Sequence, residues 1–105
     1  MSGAEMIAAE RQRQVDVEGW TVEHDDEQVS GDLARAAACY AEVSLAPAPF
    51  LRQGFPPASW PWSFEWWKPT DDRVRNLVKA GALIAAEIDR IERTTAARPV
   101  TEETR

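Results

Sequence analysis

Three sets of residues in this chain have the types and spacing to do chemistry. The first is WPWSFEWWKP, residues 60–69, where four of the five tryptophans fall within eight positions and Lys68 follows the last of them. An indole offers a flat face to a planar ring, and a cation beside it can take the negative charge such a ring carries in a nucleotide. The second is His24, Asp25 and Asp26, the sole imidazole beside two carboxylates. With Glu10 these groups suit a divalent cation, because carboxylates favour Mg, Mn and Ca and imidazole favours Zn. Against that, consecutive aspartates rarely face one ion, and a turn closed by side-chain-to-backbone hydrogen bonds explains the same three letters. The third is the cationic set Arg11, Arg13, Arg52, Lys68, Arg73, Arg75 and Lys79. Arg73 lies at the edge of an apolar stripe, where a guanidinium either snorkels to solvent or meets a phosphate or an internal acid such as Glu10 or Glu18.

Covalent catalysis has no matching motif. The chain lacks a Gly-x-Ser-x-Gly elbow, a Gly-rich phosphate loop and a His-Glu-x-x-His pair. Scattered acids (Glu10, Glu18, Glu87, Asp89) do not make the paired Glu-Glu-x-x-Glu motifs of helical nucleotide pyrophosphohydrolases. The expectation is therefore a binding protein rather than an enzyme, with no catalytic residue, no metal and no cofactor. Its ligand would meet Arg11, Gln14, His24, Trp66, Trp67, Lys68 and Arg73.

Helices must position these groups. Ser2 and Glu5 form a capping box for a first helix over about 3–18, stopped at Gly19. Glu10, Gln14, Glu18 and Arg11 fall with Ile7 on one arc of it. A solvated face is the usual fate of such an arc, and a wall facing a pocket is the other. Residues 20–29 break the helical pattern, with Trp20 and Val22 as anchors and His24, Asp25 and Asp26 near the surface. Ser30 caps a second helix over about 30–45, whose small residues let another backbone approach; Cys39 is a packed hydrophobe there. Six prolines between Ala46 and Pro69 forbid a long helix. Pro61 can open a short one over about 61–67, and Phe50, Leu51 and Phe55 act as anchors or as an interaction surface at 46–60. Thr70 caps the last helix, in which Val74, Leu77, Val78, Gly81, Ile84, Ala85, Ile88 and Ile91 repeat at helical spacing as the core face. The fold class is all-α: three main helices in one domain over 1–95, a Trp/Pro-rich ordered loop with a short extra helical turn, and a frayed tail at 96–105.

The strings ERQRQVDVEGW (10–20), EHDDEQVSGDLARAAACYA (23–41), WPW…WWKP (60–69) and RNLVKAGALIAAEIDR (75–90) resemble a module of tailed phages and prophages. In that family it occurs as a short protein or at the end of Ead-like early proteins. The resemblance spans about residues 7–93. Relatives often carry His at the position of Gln28. What it implies is a phage accessory protein in the cytoplasm of the host bacterium.

Composition narrows the partners. A net charge of −6 lacks the basic surface that duplex nucleic acid requires. One cysteine permits no internal disulfide, no apolar run reaches membrane length, and no basic-then-apolar leader opens the chain. The expected function is sequestration of a small nucleotide-like anion by a homo-oligomer, an anti-defence sponge. The alternatives are a protein that docks on a host factor, and a metal-dependent nucleotide hydrolase using Glu10, His24, Asp25 and Asp26.

Overall fold

A computed structural model describes residues 1–45 and 55–97. Among the described residues the chain is all-α, with no strand: α1 (Gly3–Asp16), α2 (Val22–Asp26), α3 (Asp32–Val43), a 3-10 turn (Phe64–Trp66) and α4 (Arg73–Ala97). Phe50 and Leu51, with most of the proposed 46–60 surface, lie outside these residues, as does the tail beyond 97. No helix among the described residues is long and apolar enough to cross a membrane.

Local chemistry accounts for the element ends. The Ser2 hydroxyl accepts from the Glu5 amide at 3.1 Å while the Glu5 carboxylate accepts from the Ser2 amide at 2.7 Å, closing the capping box of α1. Gly19 takes φ 77°, which lets the chain fold back so that the Trp20 amide donates to the Gln14 carbonyl at 3.0 Å. The segment read as non-helical contains α2, five residues capped by Thr21, whose hydroxyl accepts from the His24 amide. α4 opens later than expected. Asp72, not Thr70, accepts from the first amides of the helix (Val74 and Arg75), and the Thr70 hydroxyl accepts from the Asp72 amide just before it. Pro61 starts no helix, and within the expected span 61–67 only Phe64–Trp66 makes a 3-10 turn.

The core lies between α3 and α4. Leu33, Ala36, Ala37 and Tyr40 meet Ala80, Leu83 and Ala86, and Trp20, Trp60, Trp62 and Trp67 close over this layer half-buried. The small-residue faces of α3 and α4 therefore meet each other inside one chain. α1 crosses α4 on another side, where Ile7 occupies the space over Gly81: a Cβ there would stand 2.5 Å from Ile7 Cδ1.

This arrangement corrects the inward face of α4. Val78 and Gly81 do turn inward, but Val74, Leu77, Ile84, Ile88 and Ile91 stand outside, with Ile88 54% exposed. The reason is steric. Alanines at 80, 82 and 86 allow backbones to approach closely, and β-branched isoleucines at those positions would hold the helices apart. α4 thus carries two apolar faces, of which the bulkier remains outside.

Candidate functional site

The polar arc of α1 faces inward. Glu10 and Gln14 are each 2% exposed, although the solvated fate is the usual one. The Glu10 carboxylate accepts from Arg13 Nε and Nη2 at 2.8 and 2.9 Å and pairs with Arg75 Nη2 at 2.6 Å; Arg13 Nη2 also reaches Glu18 at 3.2 Å. Burial pushes the Glu10 carboxyl up, but hydrogen bonds and charge from Arg13 and Arg75 outweigh it, so Glu10 sits below the ordinary carboxylate value. The guanidinium expected here was Arg73. That residue is exposed, because Arg75, two positions on and about 200° around the helix, is the one turned to α1.

His24, Asp25 and Asp26 separate. Asp25, expected near the surface, is fully buried, since Arg11 Nη2 supplies it a partner at 2.8 Å and His24 Nδ1 another at 3.1 Å. Asp26 turns outward to Arg93 at 2.7 Å. Three ligands for one ion do not converge: among the described residues no group of three His, Cys, Asp or Glu side chains is close enough to hold a metal. The sequence of contacts Arg11–Asp25–His24 instead fixes the imidazole.

That imidazole lies on a cavity of about 290 Å³ lined by Trp20, His24, Gln28, Trp62, Ser63 and Trp66. The Trp20 ring stacks on His24 at 5.6 Å with 8° between planes, and Trp62 meets Trp20 edge-on at 5.8 Å. Gln28 locks this wall, accepting from Trp62 Nε1 at 3.1 Å and donating to the His24 carbonyl at 3.4 Å. With Nδ1 on Asp25, Nε2 is the imidazole nitrogen left for a ligand. Trp66, 41% exposed, forms the open side.

Trp20 and Trp66 also border a second cleft, of about 30 Å³, with Gln14, Tyr40, Lys68 and Lys79 and the Glu10–Arg13–Glu18 cluster. Lys68 Nζ lies 5.6 Å from the Trp66 ring centre and Lys79 Nζ 5.5 Å from that of Tyr40. The Lys68 amide donates to Tyr40 Oη at 3.0 Å and Lys79 Nζ to the Lys68 carbonyl at 2.7 Å, so α3 and α4 together hold this end of the Trp segment. Four cations (Arg13, Arg75, Lys68, Lys79) stand here against two acids (Glu10, Glu18). In a chain of net charge −6 this is a local positive surplus. Lys79 registers it: burial first, then the neighbouring Arg75 charge, lower its pKa. Burial raises that of the Tyr40 phenol, which stays protonated.

Of the residues expected at the site, His24 and Trp66 line the larger cavity, and Gln14, Lys68 and Trp66 line the smaller. Arg11 acts from behind, through Asp25. Trp67 packs on Tyr40 and Trp60 at 4.9 and 4.8 Å and lines neither space. Trp20, Gln28, Trp62 and Lys79, which also line these spaces, are not among the residues expected at the site. Gln28 stands four residues after His24, a spacing that places both on one side of a helical turn; that was the available signal.

Comparison with protein families, with curated proteins and with solved structures finds no match to this chain.

Proposed function

We propose that this protein binds a small, planar, anionic ligand of the nucleotide type, with the ring among Trp20, Trp62 and Trp66 and the negative charge toward Lys68 and Lys79. One observation carries the reading: a Trp-lined cavity adjoins a cleft with surplus positive charge, in a protein that is otherwise acidic. The cavity is of a size to take a base, and an indole wall tolerates any base because each has a π-face. The resemblance to the tailed-phage module supplies the setting, capture of a nucleotide signal in the host cytoplasm as an anti-defence device. Calorimetry against ATP, ADP-ribose and cyclic oligonucleotides tests the reading. Saturable heat with one of them, lost in Trp66→Ala, supports it; no heat from any of them, with folded protein, rejects it. Chromatography of the same mixtures with Mg or Mn reads out hydrolysis, and product formation would replace capture by turnover.

A second reading is docking on a protein. Phe55 and Phe64 form an exposed ring pair at 5.7 Å. The outer stripe of α4 also favours self-association: Val74, Leu77, Ile84, Ile88 and Ile91 are exposed along it, and the last three keep the alternating four- and three-residue spacing of a helix that packs along another of its kind. Ile7 already covers Gly81, which leaves Ile84, Ile88 and Ile91 for a second copy. Glu87, beside this stripe, is neutralised within the chain by Arg90 at 2.9 Å. Mass under native conditions separates a dimer from a monomer, and Ile88→Glu should shift a dimer to monomer without unfolding it.

A further inference from the structure

Gln14 gives the proposed ligand a further chemical requirement. Its side-chain amide is buried at 2% exposure, and Nε2 donates to Glu10 Oε2 at 3.2 Å. That contact fixes which way the amide faces. Glu10 is held ionised by two guanidinium groups and only accepts, so a flipped amide would set oxygen against oxygen. Among the described residues Gln14 Oε1 is thereby left as a buried acceptor with no donor. Such groups are rarely left unpaired, because burial without a partner forfeits the hydrogen bond to water.

The neighbouring donors do not supply that hydrogen bond. Lys79 Nζ is drawn to the Lys68 carbonyl and the Tyr40 ring, and the Arg13 guanidinium to Glu10 and Glu18. The cleft bordered by Gln14 has about 30 Å³, room for one hydroxyl, amino group or water but not for a ring. The ring must then occupy the space of about 290 Å³ across Trp20 and Trp66, and only a small substituent reaches Gln14.

We infer that the ligand carries a hydrogen-bond donor adjacent to its anionic group, which Gln14 Oε1 accepts; in a nucleotide this is a sugar hydroxyl. The sugar joins base to phosphate, so its hydroxyls fall between a ring held by the indoles and a phosphate held by Lys68 and Lys79. Gln14 is on this account a specificity-determining residue. It favours ligands with a free hydroxyl over those with acceptors alone, since the latter leave Oε1 unpaired. The inference rests on the site proposed above.

The test is calorimetry with adenosine 5′-triphosphate and its 2′,3′-dideoxy analogue, without divalent metal, on the intact chain and on Gln14→Met. The expected result is binding of the parent nucleotide, at least about tenfold weaker binding of the dideoxy analogue, and loss of that difference in Gln14→Met. The first comparison needs no variant, so misfolding of Gln14→Met leaves it standing. Equal affinity of the two nucleotides for the unmodified protein overturns the inference while sparing the site, and assigns a water to Gln14. A difference that persists in a folded Gln14→Met also overturns it. Binding of neither nucleotide overturns the inference for a nucleoside triphosphate, and the proposed site falls with it only if ADP-ribose and the cyclic oligonucleotides also give no heat.

Discussion

Glu10→Gln is the substitution whose cost the structure fixes best. The carboxylate is enclosed, with Arg13 and Arg75 hydrogen-bonded or ion-paired to it between 2.6 and 2.9 Å and the Gln14 amide donating at 3.2 Å. Removing one member of a buried ion pair typically costs 3–5 kcal/mol, because the partner keeps its charge without compensation. Here both guanidinium groups are about one-third exposed and can turn to water, which reduces the loss to about 2–3 kcal/mol. Against a total stability of roughly 5–15 kcal/mol for a domain of this size that is a large fraction. It corresponds to a fall in Tm of roughly 10–20 °C. Urea unfolding at neutral pH measures it, with the slope unchanged and the midpoint lowered. The pH dependence adds a signed check. Glu10 is shifted below its ordinary value of 4.5, so its contribution is fully present above that value and disappears as pH falls through the lower folded value. The gap between wild type and Glu10→Gln should therefore narrow below about pH 4.5. A neutral-pH loss under about 1 kcal/mol, or a gap that widens in acid, would refute this account of the α1–α4 contact.

Gly81→Ala gains about 1 kcal/mol of helix propensity but drives a methyl group into Ile7, at a cost of about 1–3 kcal/mol. It should destabilise the wild type and stabilise an Ile7→Ala background; thermal unfolding of the four proteins reads this, and a stabilised single variant contradicts it. Asn76 is fully buried and clasps Thr70 by donating to its carbonyl and accepting from its amide, both at 2.9 Å, so Asn76→Ala should cost about 2–3 kcal/mol. Urea denaturation checks this, and a change within 0.5 kcal/mol, about the size of a surface substitution, would be wrong for such a clasp. Lys79 has a lowered pKa, so an anion placed beside it should raise that value and binding should take up protons. The calorimetric enthalpy should then vary with the ionisation heat of the buffer, increasingly so at alkaline pH; no variation places the anion away from Lys79.

The ends of the helices were legible where a side chain closes them. Ser2 and Glu5 announce α1, and Gly19 marks its stop. α2 escaped notice because five residues hold barely one hydrogen-bonded turn and no apolar period. The inward face of α4 was misread for a different reason. Its 3.6-residue rhythm is carried by isoleucines, whereas the alanines that pack on α3 carry no comparable signal. Periodicity identifies the helix, but the sizes of the facing residues decide which side turns in. Arg73 and Arg75 show the same limit, since two positions separate an exposed cation from a buried ion pair. At the site, the Trp-rich segment signalled stacking surfaces, but which indoles face open space depends on chain reversals at 60–67. Trp60 and Trp67 turn to Tyr40, while Trp62 and Trp66 meet Trp20 and His24 around a cavity.

The most direct measurement follows the five indole N–H resonances by NMR while adenosine 5′-triphosphate is titrated into the protein. Ring capture in the cavity predicts saturable shifts at Trp20, Trp62 and Trp66, with Trp60 and Trp67 nearly still. Indole signals that remain in place, or that drift together without saturating, would contradict capture there.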